Sequence, residues 1–224
     1  MNFISHFFLD RQVPESLFFV GVSTPDLVSL FDRNIRVRDK RLQELAAAPF
    51  SADQRSFYDG VMRHVIVDKL FHTSAFFQRE TREISRLMEA ALPPGSVQRS
   101  FFTAHILFEL ALDKILIDDD PSLVPEYYDH LSARPVSYMV HMTEWVTGTP
   151  LTRYGGFLAR FIARQYLSRY VEWPNVLFIL KRILLGVGVK ETDFVIHPAM
   201  LDVVHAYEAG LRARCYDEME AFKA

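Results

Sequence analysis

The chain has 224 residues, half of them hydrophobic, with 19 Phe and a formal charge of −3. That is enough apolar material for one substantial core, and the slightly acidic balance speaks against a general nucleic-acid binder, which carries a basic excess. One cysteine, Cys215, excludes an internal disulfide and a cysteine-based zinc site. The N-terminus lacks the basic start and cleavage pattern of a signal peptide, and the apolar runs are too short and too charged to span a bilayer. The expectation is a soluble cytoplasmic protein.

In chain order, residues 3–9 are apolar around His6. Pro14-Glu15-Ser16 suits a helix start. Thr24-Pro25-Asp26 reads as a second start, with Thr24 as cap and Pro25 in the first turn. Residues 32–40 are charged and expected to be solvated, and Pro49 marks a boundary. Ser51-Ala52-Asp53-Gln54 fits a capping box. It predicts a helix running to about Phe77, with Leu92 as its far limit. Pro93-Pro94-Gly95 breaks the chain, and Ser96 opens a helix that reaches the acidic run Asp118-Asp119-Asp120. Pro121 and Pro125 frame a connection, with His130 in a polar linker.

Beyond it, segments near 135–147, 156–171, 173–186 and 191–222 carry apolar residues at mixed three and four spacing. No sustained period-2 alternation, Asn-Gly turn or internal repeat occurs. The pattern predicts a single all-α domain over residues 1–224, a helical bundle with its chemistry in residues 1–120.

That chemistry lies in two polar stripes. His64, Asp68 and His72 follow one another at i, i+4 and i+8, and so do His105, Glu109 and Asp113. On a helix each step turns about 400° and rises about 6 Å, so each trio lies along one face. Val65, Ile66, Val67, Leu70 and Phe71 between the first three argue that this face turns inward. Buried imidazole and carboxylate groups need partners, and one or two transition-metal ions held between antiparallel helices would supply them. His6 and Asp26 would complete the shell. The competing reading is structural: a lone buried His is more often a hydrogen-bonded core residue, and an i, i+4 His–Asp pair contributes only about 0.2–0.5 kcal/mol as a helix ion pair. Asp113, beside Lys114, reads as the solvated end of its helix. Arg63, Lys69 and Arg79 flank the first stripe, where they would either meet a phosphate or form its solvated side. His141, His197 and His205 read as packing, helix-start or surface residues. A di-iron carboxylate bundle would need paired E-x-x-H motifs, which the chain lacks.

Four stretches together resemble the acyl-carrier-protein phosphodiesterase family, an all-helical group related to the HD-domain metal-dependent phosphohydrolases. Met1-Asn2-Phe3-Ile4-Ser5-His6 is similar to the family's M-N-F-L-A-H opening. Gly21 and Asp26 stand where the family carries G-N-L-L-x-D-F. The run from Gly60 to His72 follows G-I-x-x-H-R-x-I-D-x-x-T-D with His64 and Asp68 in register. A later D-x-x-x-D-H-F-L segment corresponds to the stretch from His105 to Leu112. Val65 replaces an arginine of the pattern, and His72 and His105 replace aspartates, which favours softer ions such as Zn²⁺, Fe or Mn over Mg²⁺.

The resemblance implies an HD-like, metal-dependent phosphodiesterase or phosphohydrolase. His6, Asp26, His64, Asp68, His72, His105 and Glu109 would be its metal ligands, with Asp26 and Asp68 also serving catalysis. Its partner would be acyl carrier protein or a phosphorylated small molecule, with a homodimer considered and neither nucleic acid nor membrane expected. The alternative is a non-catalytic helical relative whose His/Asp site is structural and which acts as a binding protein.

Overall fold

The computed structural model describes residues 1–93, 100–188 and 197–223. All regular structure among the described residues is helical. The helices are α1 (Phe3–Leu9), α2 (Ser16–Phe31), α3 (Asp39–Ala46), α4 (Ala52–Thr73), α5 (Ala75–Ala91) and α6 (Ser100–Asp119). They continue as α7 (Leu123–Ser132), α8 (Val136–Thr147), α9 (Tyr154–Arg164), a 3₁₀ turn (Tyr166–Val171), α10 (Trp173–Gly186), α11 (Ala199–Arg212) and α12 (Cys215–Glu220). No described helix is long and apolar enough to cross a membrane.

Local chemistry sets several boundaries. At the start of α4, Gln54 N–H donates to Ser51 Oγ at 3.2 Å, and Ser51 N–H donates to Gln54 Oε1 at 3.0 Å. This is the reciprocal capping box expected there. The helix does not run on to Phe77. It stops at Thr73, because Ser74 takes an extended backbone and accepts from Phe77 N–H at 3.0 Å, capping a new helix.

The Thr24-Pro25 start is also corrected: α2 begins at Ser16 and passes through Pro25. Pro25 has no N–H to give the helix, and the Thr24 hydroxyl turns back to donate to the Val20 carbonyl at 2.7 Å. The expected connection around Pro125 is in fact α7. Pro125 is the third residue of that helix, where backbone N–H groups have no intrahelical acceptor anyway. Part of the charged 32–40 run enters α3, which buries only Leu42 and Leu45. The turn at Pro94-Gly95, the Ser96 start and the beginning of the 191–222 segment lie outside the described residues.

The chain forms two compact units. One comprises Met1–Ser5, Lys69–Pro121 and Ser168–Ala224. Its core stacks Phe71 on Phe108, with ring centroids 5.4 Å apart, and sets Phe76 edge-on to Phe108 at 5.1 Å. Here α5 packs on α6 and α11, and α10 on α6. Glu80 of α5 is fully buried, yet it accepts from Tyr207 and from the Arg79 and Arg214 guanidiniums. Burial opposes its charge, but these donors still hold its carboxyl below the usual range.

The other unit comprises His6–Asp68 and Ser122–Leu167. Its core sets Phe7 against Phe19 and Tyr127, at 4.8 and 5.8 Å. In it α2 packs on α7, α8 on α9, and α3 on α8. Within it α2 and α4 approach closely at two glycines. A Cβ on Gly21 would collide with the Phe57 carbonyl oxygen, and one on Gly60 with that of Phe18. Each glycine therefore lets the opposite backbone lie against its own.

Candidate metal centres

The glycine crossing positions the first centre. Asp26 follows Gly21 on α2, His64 follows Gly60 on α4, and α1 brings His6. One ligand atom from each of His6, Asp26 and His64 lies within 4.8 Å of the other two. His64 Nε2 and Asp26 Oδ1 are 3.8 Å apart, beyond hydrogen-bond range but within the span of two ligands on one ion. The His6 and His64 rings stack at 4.1 Å, inclined by 25°. Both residues are buried, with 3% and 5% exposure, while the Asp26 side chain keeps 29%.

His6 Nε2 is a buried polar atom with no hydrogen-bond partner. Such an atom costs about 1–3 kcal/mol if nothing satisfies it, and a cation is one group that would. Burial first, and the neighbouring His64 second, hold the His6 imidazole well below its ordinary pKa; the Asp68 charge pulls the other way. His6 is therefore neutral at physiological pH, the form that ligates a metal. Asp68 stands one turn beyond His64 on α4, half-buried, and is in neither group of three. Arg63, read as a candidate phosphate contact, is instead engaged by the Asp10 carboxylate at 2.8 Å.

The second centre gathers His72, His105 and Glu109. His105 and Glu109 share a face of α6 at i, i+4, and His72 comes from the last turn of α4. His72 Nε2 and His105 Nε2 are 2.9 Å apart, and each lies 3.1 Å from Glu109 Oε1. Phe77 presents its edge to both imidazoles, at 4.8 and 4.9 Å. The side chains remain partly open to solvent, at 28%, 23% and 13% for His72, His105 and Glu109.

Burial alone would raise the Glu109 carboxyl. The Met1 ammonium at 3.2 Å and hydrogen bonds from both histidines instead hold it well below the usual range. The Met1 contact spans 108 positions, so no local spacing announces it. Three converging atoms with lone pairs make an awkward triangle for neutral imidazoles. Each ring has one N–H to give, whereas one cation satisfies all three atoms together.

The two expected stripes thus partner differently from the simple facing arrangement. His72 meets His105 and Glu109, while His64 groups with His6 and Asp26. Asp113, read as solvated, is fully buried. Its carboxylate accepts from the backbone N–H groups of Ile4 and Ser5, at 3.1 and 2.8 Å, and so closes the start of α1. Burial pushes its pKa up to about 7, against those donors. Lys114 is also buried, paired with Asp118 at 2.6 Å.

Arg79 is held by Glu80 and Glu218. His130 is no linker residue: it lies on α7 against the rings of Phe7 and Phe19, with Nδ1 3.1 Å from Ser16 Oγ. His141 and His205 are exposed, and His197 stands two residues before the first residue of α11.

No protein-family model, curated protein or solved structure matches this chain.

Proposed function

We propose that the protein is a metal-dependent phosphohydrolase of HD-like type, acting on a phosphodiester of acyl carrier protein or of a phosphorylated small molecule. The observation that carries the reading is the first centre. His6, Asp26 and His64 come from three separate stretches, each of which resembles the same enzyme family, and their ligand atoms lie within 4.8 Å of one another.

Two imidazoles and one carboxylate suit Zn²⁺, Fe or Mn. A divalent ion held there supplies Lewis acidity and lowers the pKa of a coordinated water. The residues supply the rest. His6 enters as a neutral donor whose ring is already stacked on that of His64, and Asp26 is the most exposed of the three. Asp68, one turn from His64, is the carboxylate assigned to take and return a proton.

The test is elemental analysis of protein purified without chelator, followed by turnover of a nitrophenyl phosphodiester and of acyl carrier protein. Near-stoichiometric metal, lost in His64→Ala, together with hydrolysis that fails in Asp68→Asn, is the expected result. Protein that contains no metal and takes none up contradicts the reading.

A second reading follows from the near-complete burial of His6 and His64, which is typical of closed structural sites. It makes the centre a structural one in a non-catalytic binding protein. Metal retention without turnover of either substrate would select it.

A further inference from the structure

We propose that His72, His105 and Glu109 form a second metal site, independent of the first, which takes a six-coordinate first-row divalent ion on one face and leaves its remaining positions to solvent or to a chelating oxygen ligand.

The donor geometry distinguishes coordination types. For bonds of about 2.0–2.2 Å, ligands on one face of an octahedron stand about 2.8–3.1 Å apart, and those of a tetrahedron about 3.3–3.6 Å. The three edges here are 2.9, 3.1 and 3.1 Å, hydrogen-bond lengths that also fall within the octahedral range. Two histidines and one carboxylate on such a face make the facial triad with open positions.

The surroundings suit an open ion. The Phe77 edge walls both imidazoles on one side, while the partial exposure of all three side chains leaves a path for exchange. Glu109 already accepts from the Met1 ammonium, a contact that an incoming ion must displace or share. His105 and Glu109, an i, i+4 pair, present two of the three donors on one face of α6.

Cobalt(II) titration reads both stoichiometry and geometry. His64→Ala protein, which lacks the first centre, is expected to bind one equivalent of Co²⁺ with the weak absorption of six-coordinate cobalt, and His64→Ala/His105→Gln none. Should His64→Ala fail to fold, wild type and His105→Gln make the same comparison. His105 is partly exposed, so that variant is expected to keep its helical circular dichroism while binding one equivalent fewer. Unchanged stoichiometry in His105→Gln, or the intense bands of tetrahedral cobalt at this site, overturns the proposal. Neither result bears on hydrolysis at the first centre, which His64→Ala and Asp68→Asn test separately.

Discussion

The two centres use the same donors, two imidazoles and a carboxylate, yet they are built in opposite ways. The His6–Asp26–His64 group depends on tertiary structure: three helices deliver one residue each, and the glycine crossing of α2 and α4 brings two of them near. The result buries both imidazoles and leaves Asp26 partly exposed. The His72–His105–Glu109 group is half local, with two donors one turn apart on α6, and it stays open to water. Burial lowers the proton affinity of His6. In the open group the Met1 ammonium and the imidazole donors set the charge of Glu109 against a burial term that opposes it. A donor set therefore does not fix what a centre can do; the helix packing beneath it decides access and protonation.

The sharpest way to break this comparison is at the glycines. Gly60→Ala puts a methyl group onto the Phe18 carbonyl, and Gly21→Ala puts one onto that of Phe57. The helices must part, at a cost of about 3 kcal/mol or more. Urea denaturation is expected to show the loss, and metal retention at the first centre is expected to fall with it. Native-like stability in either variant would mean the crossing does not organise that centre.

Next in size is Asp113→Ala. It strands the buried N–H groups of Ile4 and Ser5, each costing about 1–3 kcal/mol. The denaturation midpoint is expected to drop by a corresponding amount without any direct loss of a metal ligand.

Acid titration separates two buried groups of opposite sign. His6 has a folded pKa below its ordinary 6.5. As pH falls below 6.5 the unfolded chain binds a proton there that the folded chain refuses, so its contribution to stability, present above 6.5, is lost on acidification. Asp113 runs the other way. Its folded pKa of about 7 exceeds the ordinary 3.8, so its contribution is full below about 4 and fades as pH rises through 7. Metal-free His6→Asn is expected to lose less stability than wild type between pH 7 and 5, measured by urea midpoints.

The smallest effect is expected from His105→Gln. The residue is partly exposed, and its replacement is predicted to shift stability by no more than about 1 kcal/mol while removing the second metal equivalent. A large destabilisation would make His105 a structural residue rather than a ligand.

The helical class was legible because hydrophobic periodicity is a local property. The Ser51–Gln54 capping box was legible for the same reason, and its two hydrogen bonds form as the spacing implies. The candidate ligands were legible as residue types on helix faces, and His105 with Glu109 as neighbours. Their partners were not. Nothing in the spacing of His64, Asp68 and His72 reveals that His64 turns to residues 6 and 26, because that choice is made where two glycines allow two backbones to touch. Asp113 was misread for a related reason: its partners are backbone N–H groups more than a hundred positions away. Prolines misled where position within the helix matters more than presence, as with Pro25 inside α2 and Pro125 in the first turn of α7.

Counting bound metal per chain by mass spectrometry under native conditions tests the central claim most directly. Wild-type protein loaded with a divalent transition ion should carry two, and the His64→Ala and His105→Gln proteins one each. A chain that flies with no ion, or whose ion count ignores both substitutions, would contradict it.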